Sequence, residues 1–160
     1  MVWACFWGSG RSELYVMDRD PESKRNGYSS RSYLEVLEDQ IPKLWSPGLI
    51  FMQDNAPIHT EAIIKRFFEE QGIEVSDWPL YSLDLNPIEH VWWALKKKVV
   101  ELHPELLGAT GKSEADIEAL IQALREAWDA LPESLFQSLI KSMKSRVQAC
   151  VDAKGWHTKY

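Results

Sequence analysis

Residues 51 to 68 read FMQDNAPIHTEAIIKRFF: an apolar run stops on Asp54 and Asn55, a Pro and a His follow, and then comes a stretch with helical spacing. The fold reading turns on this strand and helix, and the carboxylate between them needs a reason to be there. Two ordinary reasons exist. Asp54 can cap the following helix by accepting a free backbone N–H, or Asn55 can make a turn of the kind Asx side chains favour. A catalytic carboxylate is the third reading, and the local stretch leaves all three open.

Working outward, LIFMQ at 49–53 is expected to be a strand, 60–71 an amphipathic helix, IEVSDW at 73–78 a strand and about 87–101 a further helix. Upstream, MVWACFW at 1–7 reads as a buried strand without a polar preamble, GSG at 8–10 as a turn and SELYVM at 12–17 as a second strand, together a hairpin. A polar loop over 18–30 leads to a helix at about 31–41, with Tyr33, Leu34, Val36, Leu37 and Ile41 at helical spacing and Ser29 or Ser30 as its cap. Strand, strand, helix, strand, helix, strand, helix indicates a mixed α/β sheet flanked by helices.

Beyond Ala109 the pattern is helical only. A polar linker near 109–116 precedes helices at 117–131 and 135–153, separated where Pro132 begins a new cap. Leu120, Leu124, Trp128, Leu135, Leu139 and Val147 are the expected core positions of this helical layer.

Composition narrows the function classes. The chain has 160 residues, 45% hydrophobic and 26% charged, enough for one domain with a core. No apolar run approaches the roughly 20 residues that cross a bilayer, and no basic leader with a cleavage site opens the chain. A soluble protein that begins inside a domain is expected. Cys5 and Cys150 lack disulfide-framework or metal-ligand spacing, so a reducing compartment is expected, with Cys5 a core residue. The formal net charge of -6 works against a generally basic, DNA-coating surface. Contact with nucleic acid must then be local or depend on metal ions.

WPLYSLDLNPIEHVWWALKKKV at 78–99 places Glu89 just inside a helix beginning near Pro87, where Pro suits the first turn. Asp54 and Glu89, with residues 55 to 88 between them, stand at ends of elements that can meet at one sheet edge. Two carboxylates brought together repel, and a divalent cation or a shared proton offsets that charge. Oxygen-only ligation favours Mg or Mn, and a two-metal pair suits phosphodiester cleavage.

QDNAPIH at 53–59, residues 78–99 and the tail SMKSRVQACVDAKGWHTKY at 142–160 resemble the catalytic domain of mariner-type cut-and-paste DNA transposases, DDE endonucleases with an RNase H-like fold. The resemblance covers nearly the whole chain. It implies a three-carboxylate, two-metal site that cleaves DNA at transposon ends and joins the freed end to target DNA, with Asp54 as second and Glu89 as third catalytic carboxylate and metal ligand. It implies Mg or Mn as cofactor, DNA as partner, no membrane, room for a homodimer, and the nucleus as the place of work. Residues 1–108 would form a partial RNase H-like core and 109–160 C-terminal helices packed on it.

The chain departs from the family pattern in two places. The first catalytic Asp of the family precedes the strand resembling MVWACFW, so its place, like the first strand, falls upstream of Met1. Asp18 and Asp20 follow the hairpin, at the wrong place to substitute. Leu83 stands where the family has Pro, freeing the backbone before Asp84. The rival expectation is a non-enzymatic transposase remnant or a domesticated DNA- or protein-binding module. Loop or cap hydrogen bonding is the expected role of His59 and His90, and turn formation that of Asn55, Asn86 and Asp84. Lys96, Lys97 and Lys98 are expected on a solvated helix face that could also meet phosphate.

Overall fold

The structure, a computed structural model, describes residues 1–24, 26–79, 82, 85–108, 113–154, 156 and 158. Leu83, Asp84, the linker residues 109–112 and parts of the tail after Lys154, all named above, lie outside the described residues. The chain divides into two compact units, Met1–Trp3 with Tyr15–Ser82 and Ala4–Leu14 with Leu83–Tyr160.

In the first unit, strand β1 (Val2–Trp3) pairs antiparallel with β4 (Tyr15–Val16). In the second, β2 (Phe6–Trp7) pairs antiparallel with β3 (Gly10–Arg11). The expected hairpin is present, but not as two continuous strands. Between Phe6↔Arg11 and Trp3↔Tyr15 the second arm carries one residue more than the first, and such a bulge interrupts the ladder.

Helix α1 (Ser30–Leu44) carries Tyr33, Val36, Leu37 and Ile41 into the core of the first unit. Ser29 caps it, its hydroxyl accepting from the Arg31 N–H at 3.1 Å. The helix expected at 60–71 is α3 (Ala62–Gln71), and a separate short helix, α2 (Pro57–Thr60), precedes it across Glu61. Gly72 ends α3 at φ 64, a left-handed position that glycine adopts without a side-chain clash. Ile64, Phe67 and Phe68 are its buried face.

The strands expected at 49–53 and 73–78 shrink to one parallel bridge, Phe51↔Val75. Phe51 makes both of its hydrogen bonds, donating to the Glu74 carbonyl and accepting from Ser76 N–H, each at 2.8 Å. A Pro47–Gly48 turn, with Gly48 at φ 90, precedes the bridge and the Asp54 turn follows it, so the extended segment ends on both sides.

The second unit is helical apart from its hairpin: α4 (Ile88–Leu102), a 3-10 turn at Pro104–Gly108, α5 (Glu114–Asp129) and α6 (Glu133–Asp152). The α5 helix starts earlier than expected because Ser113 caps it, accepting from Asp116 N–H at 3.0 Å. Trp128 is fully buried, donates its indole N–H to the Ser12 carbonyl at 2.9 Å, and stacks edge-on against Phe136. Truncating such a residue to Ala costs roughly 3–5 kcal/mol.

Leu120 and Val147 are exposed, against expectation, while Ala123, Ala127, Phe136 and Leu139 are buried. Small residues four apart let α5 approach α4 closely, which moves its packed stripe off the larger apolar side chains. Cys5, expected in the core, is only half-buried, though burial still pushes its thiol up to about 11 against the opposing hydrogen bonds of Ser12. Among the described residues no helix is long and apolar enough to cross a membrane.

Candidate active site

Asp54 ends the extended segment of the first unit, and its Oδ1 serves two partners. It accepts from Ala56 N–H at 3.0 Å and lies 2.7 Å from His59 Nδ1. The first bond makes a turn, the role offered above for Asn55, and Asp54 does not cap α2, whose cap Ala56 lies two residues further on. Oδ2 takes no hydrogen bond among the described residues. One oxygen builds the turn, and the other stands outside that hydrogen bonding.

The turn is braced from several directions. Tyr33 of α1 donates its hydroxyl to Gln53 Oε1 at 2.7 Å, Gln53 Nε2 donates to the His59 carbonyl at 3.3 Å, and the His59 ring lies against Tyr33 with centroids 4.4 Å apart. Asn55 Nδ2 donates to the Trp78 carbonyl at 2.7 Å, tying the turn to the chain beyond the bridge. His59 thus makes the loop hydrogen bond expected of it, whereas Asn55, expected to form a turn, reaches across to Trp78 instead. Asp54 opens on a cleft of about 630 Å³ whose polar lining includes Asn55, His59, Lys65 and Asp77.

Glu89 belongs to the second unit, in the first turn of α4, where a negative side chain complements the helix dipole. Pro87 stands at the cap position, and the Glu89 N–H reaches the Asn86 carbonyl at 3.4 Å, so Asn86 shapes the turn into the helix. The Glu89 side chain is exposed and makes no hydrogen bond among the described residues. Beside it, His90 is held below its ordinary value by burial and then by the positive charge of Arg146, with the Glu89 carboxylate opposing both. Arg146 of α6 is itself buried at 3% exposure and donates from Nε to Ser142 Oγ at 2.9 Å.

Among the described residues no three His, Cys, Asp or Glu side chains gather into a metal cage. Asp20 is committed elsewhere. Its carboxylate accepts from Ser29 Oγ at 2.6 Å and from Glu22 N–H at 2.9 Å, and the Ser29 bond, ahead of the Glu22 one, lowers its pKa. Asp18 is exposed. The sequence did not point to Tyr33 and Gln53 as braces of Asp54, nor to Arg146 near the start of α4. Gln53 lies in the quoted motif, but nothing in a helical stripe distinguishes a tyrosine that donates a hydrogen bond from one that only packs.

Residues 19–105 match the family model described as DDE superfamily endonuclease. The chain is 35% identical over 169 residues to the transposable element Tc1 transposase of Caenorhabditis elegans, covering 100% of this chain and 54% of that protein. It is 32% identical to the Tcb2 transposase of Caenorhabditis briggsae, with the same two coverages. The chain thus spans about half the length of the curated relatives it matches. Its backbone superposes on a solved Mos1 transposase catalytic domain with Raltegravir and Mg at a TM-score of 0.68, with 21% identity, over 99% of this chain and 75% of that one. A second Mos1 structure, with Raltegravir and Mn, gives a TM-score of 0.63 at 19% identity, over 99% and 82%. These superpositions show a common fold, helices with short strands in the RNase H-like arrangement.

Proposed function

Because this chain belongs to the DDE superfamily endonucleases, as a mariner-type transposase catalytic domain, we propose that it serves metal-dependent cleavage and strand transfer of DNA, with Asp54 and Glu89 as metal-binding catalytic carboxylates. The observation that carries the reading is Asp54 itself: Oδ1 is fixed by Ala56 and His59, which leaves Oδ2 aimed by the turn and without a hydrogen bond among the described residues. A carboxylate held by one oxygen can present the other in a set direction.

Hard carboxylate oxygens suit Mg or Mn, the ions present in the two Mos1 structures, so the donor chemistry of Asp54 and Glu89 fits such an ion. When bound, a metal pair would activate a water and stabilise the leaving oxygen of a phosphodiester. The protein's part is positioning. His59, Gln53 and Tyr33 hold the Asp54 turn, and the first turn of α4 carries Glu89. DNA is the proposed partner and the nucleus the proposed location.

On this reading Asp54 and Glu89 are two of the three carboxylates that the family resemblance implies. The test is a labelled duplex incubated in Mg or Mn with this chain and with a form extended upstream by an Asp-bearing strand. The extended form is expected to cleave, the 160-residue chain to remain at background, and Glu89→Ala to abolish cleavage. Cleavage that survives Glu89→Ala in the extended form would overturn the assignment.

A further inference from the structure

Helix α4 has two faces of different character. Val91, Leu95 and Val99 are buried, and at 3.6 residues per turn Glu89, Trp93, Lys96, Lys97 and Val100 fall together on the opposite side. Trp93 is 63% exposed on that side. A large indole that contributes nothing to a core is costly surface unless something stacks on it. Lys97, one turn further on, places its Nζ 4.6 Å from the Trp93 ring centroid. Lys96 is exposed beside it, whereas Lys98 is turned to Glu101 at 2.8 Å.

We propose that Trp93, with Lys96 and Lys97, is a platform for an unpaired nucleotide of the DNA strand that Glu89 acts on. The base stacks on the indole and the adjoining phosphates meet the two ammonium groups. This rests on the reading of Glu89 as a ligand in a DNA-cleaving site.

Two features of the face select this occupant. Aromatic rings interleaved with cations are the composition that holds single strands, because every base has a face to stack and every nucleotide a phosphate. A protein partner fits less well, since lysine is depleted at the centres of protein interfaces. Spacing agrees. Glu89 and Trp93 are four residues apart, an axial rise of about 6 Å, and a DNA strand advances about 3.4 Å per nucleotide. The stacked base thus lies within about two nucleotides of the phosphate at Glu89. The patch also supplies local positive charge on a chain whose formal net charge is -6.

The experiment is fluorescence anisotropy, without metal, using a labelled duplex with a short unpaired extension and the same duplex made blunt. Trp93→Ala should weaken binding to the extended duplex on the order of tenfold and to the blunt one by less than about twofold, with Trp93→Phe keeping most of the affinity. Lys97→Gln should lower the slope of log affinity against log salt by about 0.7. An exposed site predicts an unchanged melting temperature for Trp93→Ala, and a melt checks that it folds.

Equal affinity of Trp93→Ala and the unaltered chain, equal losses on both duplexes, or no measurable DNA binding by the unaltered chain would each overturn the platform. A self-association lost in Trp93→Ala with DNA binding unchanged would assign the face to a second copy and overturn it as well. The site reading is judged separately, by cleavage in Glu89→Ala. Cleavage surviving there while Trp93→Ala still loses the extended duplex would sink the site and leave the stacking surface.

Discussion

Asp54 and Glu89 are carboxylates of the same proposed role held in opposite ways. Asp54 sits in a turn braced by Ala56, His59, Gln53 and, through Gln53, the Tyr33 hydroxyl of α1. Glu89 projects from the exposed first turn of α4 with no side-chain hydrogen bond among the described residues. A chain leaving an extended segment has many conformations open to it, so a side chain there must be aimed by added bonds. A helix already fixes the direction of its Cα–Cβ bonds, and Glu89 needs only the helix start set by Asn86 and Pro87. Substitutions should therefore act on stability at one carboxylate and not at the other, while acting on chemistry at both.

The largest expected effect tests what the two share. In a cleavage-competent form, Asp54→Ala and Glu89→Ala should each lower the nicking rate on the order of 10³, the several kcal/mol a bound metal lends to charge stabilisation. Single-turnover assays on a labelled duplex would measure it. A tenfold effect at one position against 10³ at the other would break the pairing and leave a single carboxylate in the site.

A smaller effect tests the bracing. His59→Ala removes the 2.7 Å partner of Asp54 Oδ1 but leaves the carboxylate in place. Loss of such an outer partner costs roughly 10–100-fold in metal affinity or activity. Titration calorimetry with Mn would register it as a weaker binding constant. An unchanged constant would mean the Ala56 bond alone aims Asp54.

The sequence exposed these two regions unevenly. The helices were legible because their stripes and caps are local: Ser29 before α1, Gly72 after α3 and Pro87 before α4 all act within a few residues. The strands were not, since a ladder depends on partners that a local pattern does not specify, and LIFMQ pairs only at Phe51. Motif reading reached Asp54 and Glu89 by family resemblance and left capping open as a reason for the first. In the structure Oδ1 makes a turn and Oδ2 has no hydrogen bond among the described residues, which is the observation the proposed ligand role starts from. Trp93 had a sequence signal, lying off the Val91–Leu95–Val99 stripe. Arg146 had none, as a polar residue on a surface-like helix is ordinarily solvated.

Tyr33→Phe isolates the most distant brace. It deletes the hydroxyl that donates to Gln53 at 2.7 Å while keeping the buried ring and its contact with His59. A net loss of about 1 kcal/mol is expected for one such bond. Urea denaturation would read it as a lower midpoint at constant slope. A neutral result would detach α1 from the support of the turn.

The smallest expected effect is the sharpest test of the contrast, because it concerns charge with shape preserved. Glu89→Gln keeps the size of the side chain and its place in the first turn of α4, and removes only a favourable interaction with the helix dipole, worth about 0.3–1 kcal/mol at an exposed site. Asp54→Asn is similarly mild, since the amide oxygen can still accept from Ala56 N–H and from a His59 that carries its proton on Nδ1. Asp54→Ala is different: it deletes the acceptor, and removing a turn or cap oxygen of this kind costs roughly 0.5–2 kcal/mol. Metal-free urea melts should thus order the variants with Glu89→Gln and Asp54→Asn close to the unaltered chain and Asp54→Ala below them. Glu89→Gln falling more than about 2 kcal/mol would make Glu89 a structural acceptor. The two carboxylates would then be braced alike, and the division between an aimed turn and a helix-borne ligand would not hold.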